Sequence, residues 1–171
     1  MWSMRKCPKR YNTKDFYNMT LRKILPWIAV LLWMMLIYYL SSQVAEQSAK
    51  LSTGPSELAE KIIEIVAPEA DYDINAISNI VRKTAHFFAY LVLGVLVTNS
   101  LRRSGLHGYR SLIFALLICV IYAVSDEVHQ IFVPGRGPGV LDVLIDSIGA
   151  TLGIGAYLLV DKIVKKAKSA V

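Results

Sequence analysis

The stretch ILPWIAVLLWMMLIYYL, residues 24–40, runs for 17 residues without a charge. Its apolar residues follow neither a two-residue nor a 3.6-residue alternation, so it offers no polar face to water. A bilayer core of about 30 Å takes roughly 20 helical residues, within a range of about 17–25. A basic segment precedes the stretch, as in a signal peptide. It is nevertheless longer than the usual apolar region of about 7–15 residues, and no A-x-A cleavage site follows. The reading is an uncleaved first membrane helix. Trp27 near one end, and Tyr38 and Tyr39 near the other, suit the two interfaces.

Three further runs have the same character: residues 85–101 (AHFFAYLVLGVLVTNSL), 111–133 and 140–160. The third is apolar to Val124 and then continues as SDEVHQIFV. The fourth is interrupted by Asp142 and Asp146. Hydrophobic residues make up 54% of the 171-residue chain, and the mean hydropathy is +0.44. A soluble bundle would need four helices apolar all round in a small protein. The fold expected is therefore all-α, an integral membrane protein with four transmembrane helices at about 24–40, 84–101, 111–133 and 140–160. They form one membrane domain over residues 24–160. Between the first two, PSELAEKIIEIVAPE sets Leu58, Ile62, Ile65 and Val66 at helical spacing, with Pro55 and Pro68 as boundaries. This predicts a short amphipathic helix on the membrane surface. A second segment, from about Ile74, is expected to run straight into the second membrane helix.

The net charge of +6 describes no single surface. Segment 1–23 is basic, with Arg5, Lys6, Lys9, Arg10, Lys14, Arg22 and Lys23 against one acid. The short connection after residue 101 carries Arg102, Arg103 and Arg110, and the tail 161–171 carries four lysines. The intervening loops hold only Lys50, Lys61, Arg82, Lys83 and Arg136. Positive residues collect on the cytoplasmic side. Both termini and the 102–110 connection are thus expected in the cytoplasm, and the long loop outside. Charge distributed in this way is a topology signal and no nucleic-acid patch. Cys7 and Cys119 lie in a basic segment and an apolar run. They are poor disulfide partners and too few for a metal site.

Ionisable residues at membrane depth cost about 2.5–3.5 kcal/mol each at a helix centre, so their placement carries functional information. At about 100° per residue, Arg82, Lys83, His86 and Tyr90 share one sector of the second helix. Asp126, Glu127 and Gln130 share a sector of the third, with His129 to one side. On the fourth, Asp142 and Asp146 continue into Gly149 and Gly153, a spacing that lets a neighbouring helix approach closely. All three polar stripes fall at the outer end of their helices. The PGRGPG turn between the last two carries Arg136. Opposite charges at one membrane face imply a partly buried ionic cluster open to the outer leaflet.

These pieces resemble the VanZ-like family of small membrane proteins. The resemblance is carried by SSQ at residues 41–43, RKTAHFFAY at 82–90, DEVHQIFVPGR at 126–136 and DVLIDSIGATLG at 142–153. Many members have Asn where this chain has Asp146, which adds a potential negative charge. The resemblance implies a multi-pass protein of a bacterial cytoplasmic membrane. The family's founding member is linked to low-level resistance to teicoplanin, a lipid-tailed glycopeptide.

Three functions are open on these residues. The first is binding of a cell-envelope lipid, lipid-linked wall precursor or lipoglycopeptide. Arg82, Lys83 and Arg136 would hold a phosphate or carboxylate, and Glu127, Gln130 and Asp142 would take hydroxyls or amines. His86, Tyr90, Asp126 and Asp146 complete the candidate ligand site. The second is an enzyme acting on such a lipid, with His86 and either Asp126 or Glu127 as catalytic candidates. In one variant, His86, Glu127 and Asp146 would hold a divalent metal, although no cofactor or metal is expected from a recognised motif. The third is a cluster that only fastens helices together. The partners expected are membrane lipids, without nucleic acid.

Overall fold

A computed structural model of the chain describes residues 13–42, 74–133 and 139–169. These form four helices: α1 (Thr13–Ser41), α2 (Ile74–Arg103), α3 (Tyr109–Gln130) and α4 (Val140–Ser169). Among the described residues there is no strand. Each helix contains a span long and apolar enough to cross a membrane. The chain is a multi-pass membrane protein. The segment from Ile74 does continue unbroken into the second span. The surface helix expected around Leu58 to Val66, and Arg136 in the glycine-rich turn, lie outside the described residues.

Apolar side chains cover the outside of the bundle. Leu25 is 67% exposed, Met35 65% and Ile121 66%. A soluble monomer rarely leaves apolar patches of more than a few hundred Å² in water; in lipid the same surface costs nothing. Inside, Val30, Ile37, Tyr90, Leu93 and Val97 are buried beside smaller residues. Ala115, Cys119 and Ala123 form the buried stripe of α3.

α4 packs most extensively on α2, and next on α3; α1 packs on α2 and barely touches α3. α2 and α4 run parallel in constant register. Lys83 pairs with Asp142 near one end and Arg102 with Asp161 near the other, 59 positions apart in both cases. The close approach comes from glycine. A Cβ on Gly149 would meet the Phe87 carbonyl, and one on Gly153 the Leu91 carbonyl. From the other side, Gly94 faces the Ala150 carbonyl in the same way. Hydroxyl groups in this apolar setting bond back to their own helix: Thr98 Oγ1 to the Gly94 carbonyl at 2.7 Å, and Ser147 Oγ to the Val143 carbonyl at 2.7 Å.

α1 is fastened across the bundle by polar atoms of large side chains. Trp27 Nε1 donates to Ser104 Oγ at 3.0 Å, and Trp33 Nε1 to the Ala89 carbonyl at 2.9 Å. The Tyr122 hydroxyl donates to the Met34 carbonyl at 2.5 Å. α2 ends in a turn closed by Gly105 at φ 102°. There Leu106 N donates to the Leu101 carbonyl (3.0 Å) and Gly105 N to the Arg102 carbonyl (3.1 Å), the paired bonds of a glycine C-terminal cap. At this end Arg102 stacks over the Tyr157 ring at 5.4 Å, and Asp161 also takes Lys165 Nζ at 2.8 Å.

A polar cleft between three helices

The opposite end of the bundle gathers the C-termini of α1 and α3 and the N-termini of α2 and α4. The buried alanine and cysteine stripe of α3 leads there into Asp126, Glu127 and Gln130, all three buried. One face of a single helix thus changes from small apolar residues to acids within one turn. Asp126 is the most enclosed of them. Its Oδ2 accepts hydrogen bonds from Ser41 Oγ at 2.6 Å and from Gln130 Nε2 at 3.3 Å. Its Oδ1 is buried without a hydrogen-bond partner.

Glu127 points toward the start of α4. Its Oε2 accepts the backbone N–H of Gly139 at 2.8 Å, the residue just before α4. Gly139 in turn gives its carbonyl to Asp142 N at 2.8 Å. Asp142 sits in the first turn of α4, where the helix dipole favours an anion, and it pairs with Lys83 of α2. Asp146, one turn further, is 2% exposed. His86 stands between two acids, its Nδ1 at 3.9 Å from both Asp126 Oδ2 and Asp146 Oδ2. That separation exceeds a direct hydrogen bond.

A cleft opens among these groups. It is lined by Arg82, Lys83 and His86 of α2, Glu127 and Gln130 of α3, and Asp142, Ile145 and Asp146 of α4. Arg82 lines it, and no described carboxylate lies within ion-pairing distance of its guanidinium. Seven of the ten residues expected at a ligand site therefore share this cleft.

The other three are placed differently. Asp126 lies behind the lining and holds it through Ser41 and Gln130. Tyr90 is fully buried in the core, its ring 6.1 Å from that of Tyr122. Its hydroxyl is enclosed and makes no hydrogen bond. Arg136 is outside the described residues. His86, Glu127 and Asp146, expected together if a metal were held, share the cleft. Among the described residues, though, no three His, Cys, Asp or Glu side chains converge as metal ligands. His129 stacks on Tyr38 at 4.4 Å, away from the cleft.

Two groups that residue-type reasoning passed over help to build the site: Ser41, which anchors Asp126, and the Gly139 N–H, which orients Glu127. A short polar sequence directly after the first apolar run was the available signal for Ser41.

A family model described as VanZ/LLP1 matches residues 26–161, a span that includes every described residue of the cleft. No curated protein and no solved structure gives a significant match.

Proposed function

The chain belongs to the VanZ/LLP1 family, and from that premise we propose that its polar cleft binds the head group of an amphiphile in the outer leaflet of a bacterial cytoplasmic membrane. A cell-envelope lipid, a lipid-linked wall precursor or a lipoglycopeptide of the teicoplanin kind has the required form. The observation that carries the reading is the cleft itself. Three helices bring cationic, anionic and amide side chains to one membrane-embedded recess. Groups intended only to hold helices together would satisfy one another, yet Arg82 faces the recess without a described acid. Charge-assisted bonds to a phosphate or carboxylate are strong where water is scarce. Sidedness rests on the basic residues of segment 1–23, the 102–110 connection and the tail, which put the cleft end outside.

A second reading, chemical change of the bound lipid, is favoured by His86. It faces the recess with Asp126 and Asp146 both at 3.9 Å from its Nδ1, an arrangement suited to a proton carrier.

Glu127→Gln tests the functional reading. It keeps the shape and an acceptor for the Gly139 N–H while removing the charge. The expected result is an unchanged amount of protein in the membrane with loss of activity in a teicoplanin-susceptibility or envelope-stress assay. Normal activity at normal abundance would contradict a role for the cleft. Disappearance of the protein would favour the purely structural reading.

A further inference from the structure

The cleft's charges do not balance among themselves. Asp142 is taken by Lys83, and Glu127 is held by the Gly139 N–H. Two opposite groups remain. Arg82 lines the recess without a described acid, and Asp146, 2% exposed, has His86 Nδ1 at 3.9 Å, beyond a direct hydrogen bond. Arg82 and His86 are four residues apart on α2, about 6 Å along its axis, and the Asp146 carboxylate lies at the level of His86.

Deeper still, polar atoms lack partners. Asp126 Oδ1 and the Tyr90 hydroxyl are enclosed with no hydrogen-bond partner. Buried polar atoms are seldom left this way, and an unneutralised carboxylate at low dielectric is costlier still. Of the buried carboxylates, Asp146 is the one that lines the recess, and what it lacks there is a positive charge that donates a hydrogen bond.

We propose that the inner end of the cleft is a subsite for a primary ammonium group, with Arg82 holding a phosphate about one helical turn nearer the rim. Asp146 accepts directly from the ammonium, and Asp126 adds its charge from behind. The ligand class is a phosphate–ammonium zwitterion of the phosphoethanolamine type, whose two-carbon bridge spans that separation. The inference rests on the head-group reading above and narrows it. A primary ammonium offers three donors; a quaternary or N-acylated amine loses all or most of them, and an uncharged glycerol head offers no cation.

Native mass spectrometry of the purified full-length protein, titrated in detergent with lipids of identical chains, tests this. Phosphatidylethanolamine should bind about tenfold more tightly than N-acetyl-phosphatidylethanolamine, phosphatidylcholine or phosphatidylglycerol, as expected for a bond to a charged group. Asp146→Asn should abolish that preference, so that the four lipids bind the variant alike; a preference retained undiminished in Asp146→Asn would contradict the assignment. Soluble phosphoethanolamine identifies the source. Displacement of the lipid at equal concentration assigns the subsite to a free ion, and persistence of the lipid assigns it to a bilayer ligand; either result supports the subsite. Equal binding of all four lipids by the unaltered protein, which requires no variant to fold, would overturn the ammonium subsite and leave the head-group reading standing. Failure of every lipid to bind would remove both.

Discussion

Asp126 sits at the centre of the end that carries the cleft. Its Oδ2 takes two hydrogen bonds, and the shorter comes from a residue 85 positions away in the chain. A hydrogen bond to a charged group contributes about 1.5–3 kcal/mol. Ser41→Ala should therefore destabilise the folded protein by about that amount, read from denaturant unfolding in micelles or bilayers. An unchanged midpoint would show that the Ser41–Asp126 bond contributes nothing. At Glu127 the two simplest substitutions should separate. Glu127→Gln still accepts the Gly139 N–H and should cost under about 1 kcal/mol. Glu127→Ala strands that donor and should cost about 1–3 kcal/mol. Equal losses would mean that the bond to Gly139 does not position α4. The limits of reading such residues from sequence are visible here. Arg82, Lys83, His86, Glu127, Gln130, Asp142 and Asp146 were legible because charge in an apolar run is costly and a helical projection places it on one side. Tyr90 shares that projection, but an angle carries no depth: two turns below Arg82, its side chain lies inside the core. A serine hydroxyl at a helix end is too ordinary to announce that it will meet Asp126.

At the scale of the helix, the α2–α4 seam depends on the absence of two side chains. Gly153→Ala would push a Cβ into the Leu91 backbone, and Gly149→Ala one into the Phe87 backbone. Neither obstacle is a flexible side-chain end, so the helices must separate. Overpacking of this kind costs about 1–3 kcal/mol. Gly155→Ala provides the contrast on the same helix, because nothing lies within 4 Å of its added Cβ; it should be neutral or stabilise by up to about 1 kcal/mol through helix propensity. Equal unfolding midpoints for Gly153→Ala and Gly155→Ala would refute the close seam. The glycine spacing was legible as a packing face, but its partner was not, since any neighbouring helix or a second copy would satisfy the same pattern. The helix lengths were only partly legible. Apolar runs mark what lies in lipid, whereas α4 continues past Asp161 through Lys162, Lys165, Lys166 and Lys168 to Ser169. Those lysines favour the end of the helix through its dipole, and Lys165 pairs with Asp161 four residues before it.

For the molecule as a whole, four apolar runs in the sequence correspond to the four helices able to cross a membrane. Sidedness is the part that charge alone carries, and it has a direct consequence. In a chain with Cys7→Ala and Cys119→Ala, a cysteine introduced as Glu60→Cys should be labelled by an impermeant thiol reagent in intact cells, and one introduced as Leu106→Cys should not. The reverse pattern would place the cleft at the cytoplasmic face. The spans form a scaffold whose outer surface is apolar and whose polar chemistry is confined to one end, with a separate Arg102–Asp161–Lys165 group bracing the other. That division is expected of a protein that holds the polar head of a molecule whose tail stays in lipid. The central claim is that the cleft is occupied by such a head group. The most direct measurement is native mass spectrometry of the protein as isolated from its own membrane, beside Arg82→Ala recovered in equal amount. Binding in the cleft predicts a copurifying lipid of defined mass on the unaltered protein and its loss from the variant. The same lipid retained undiminished on Arg82→Ala, or no lipid on either, would contradict it.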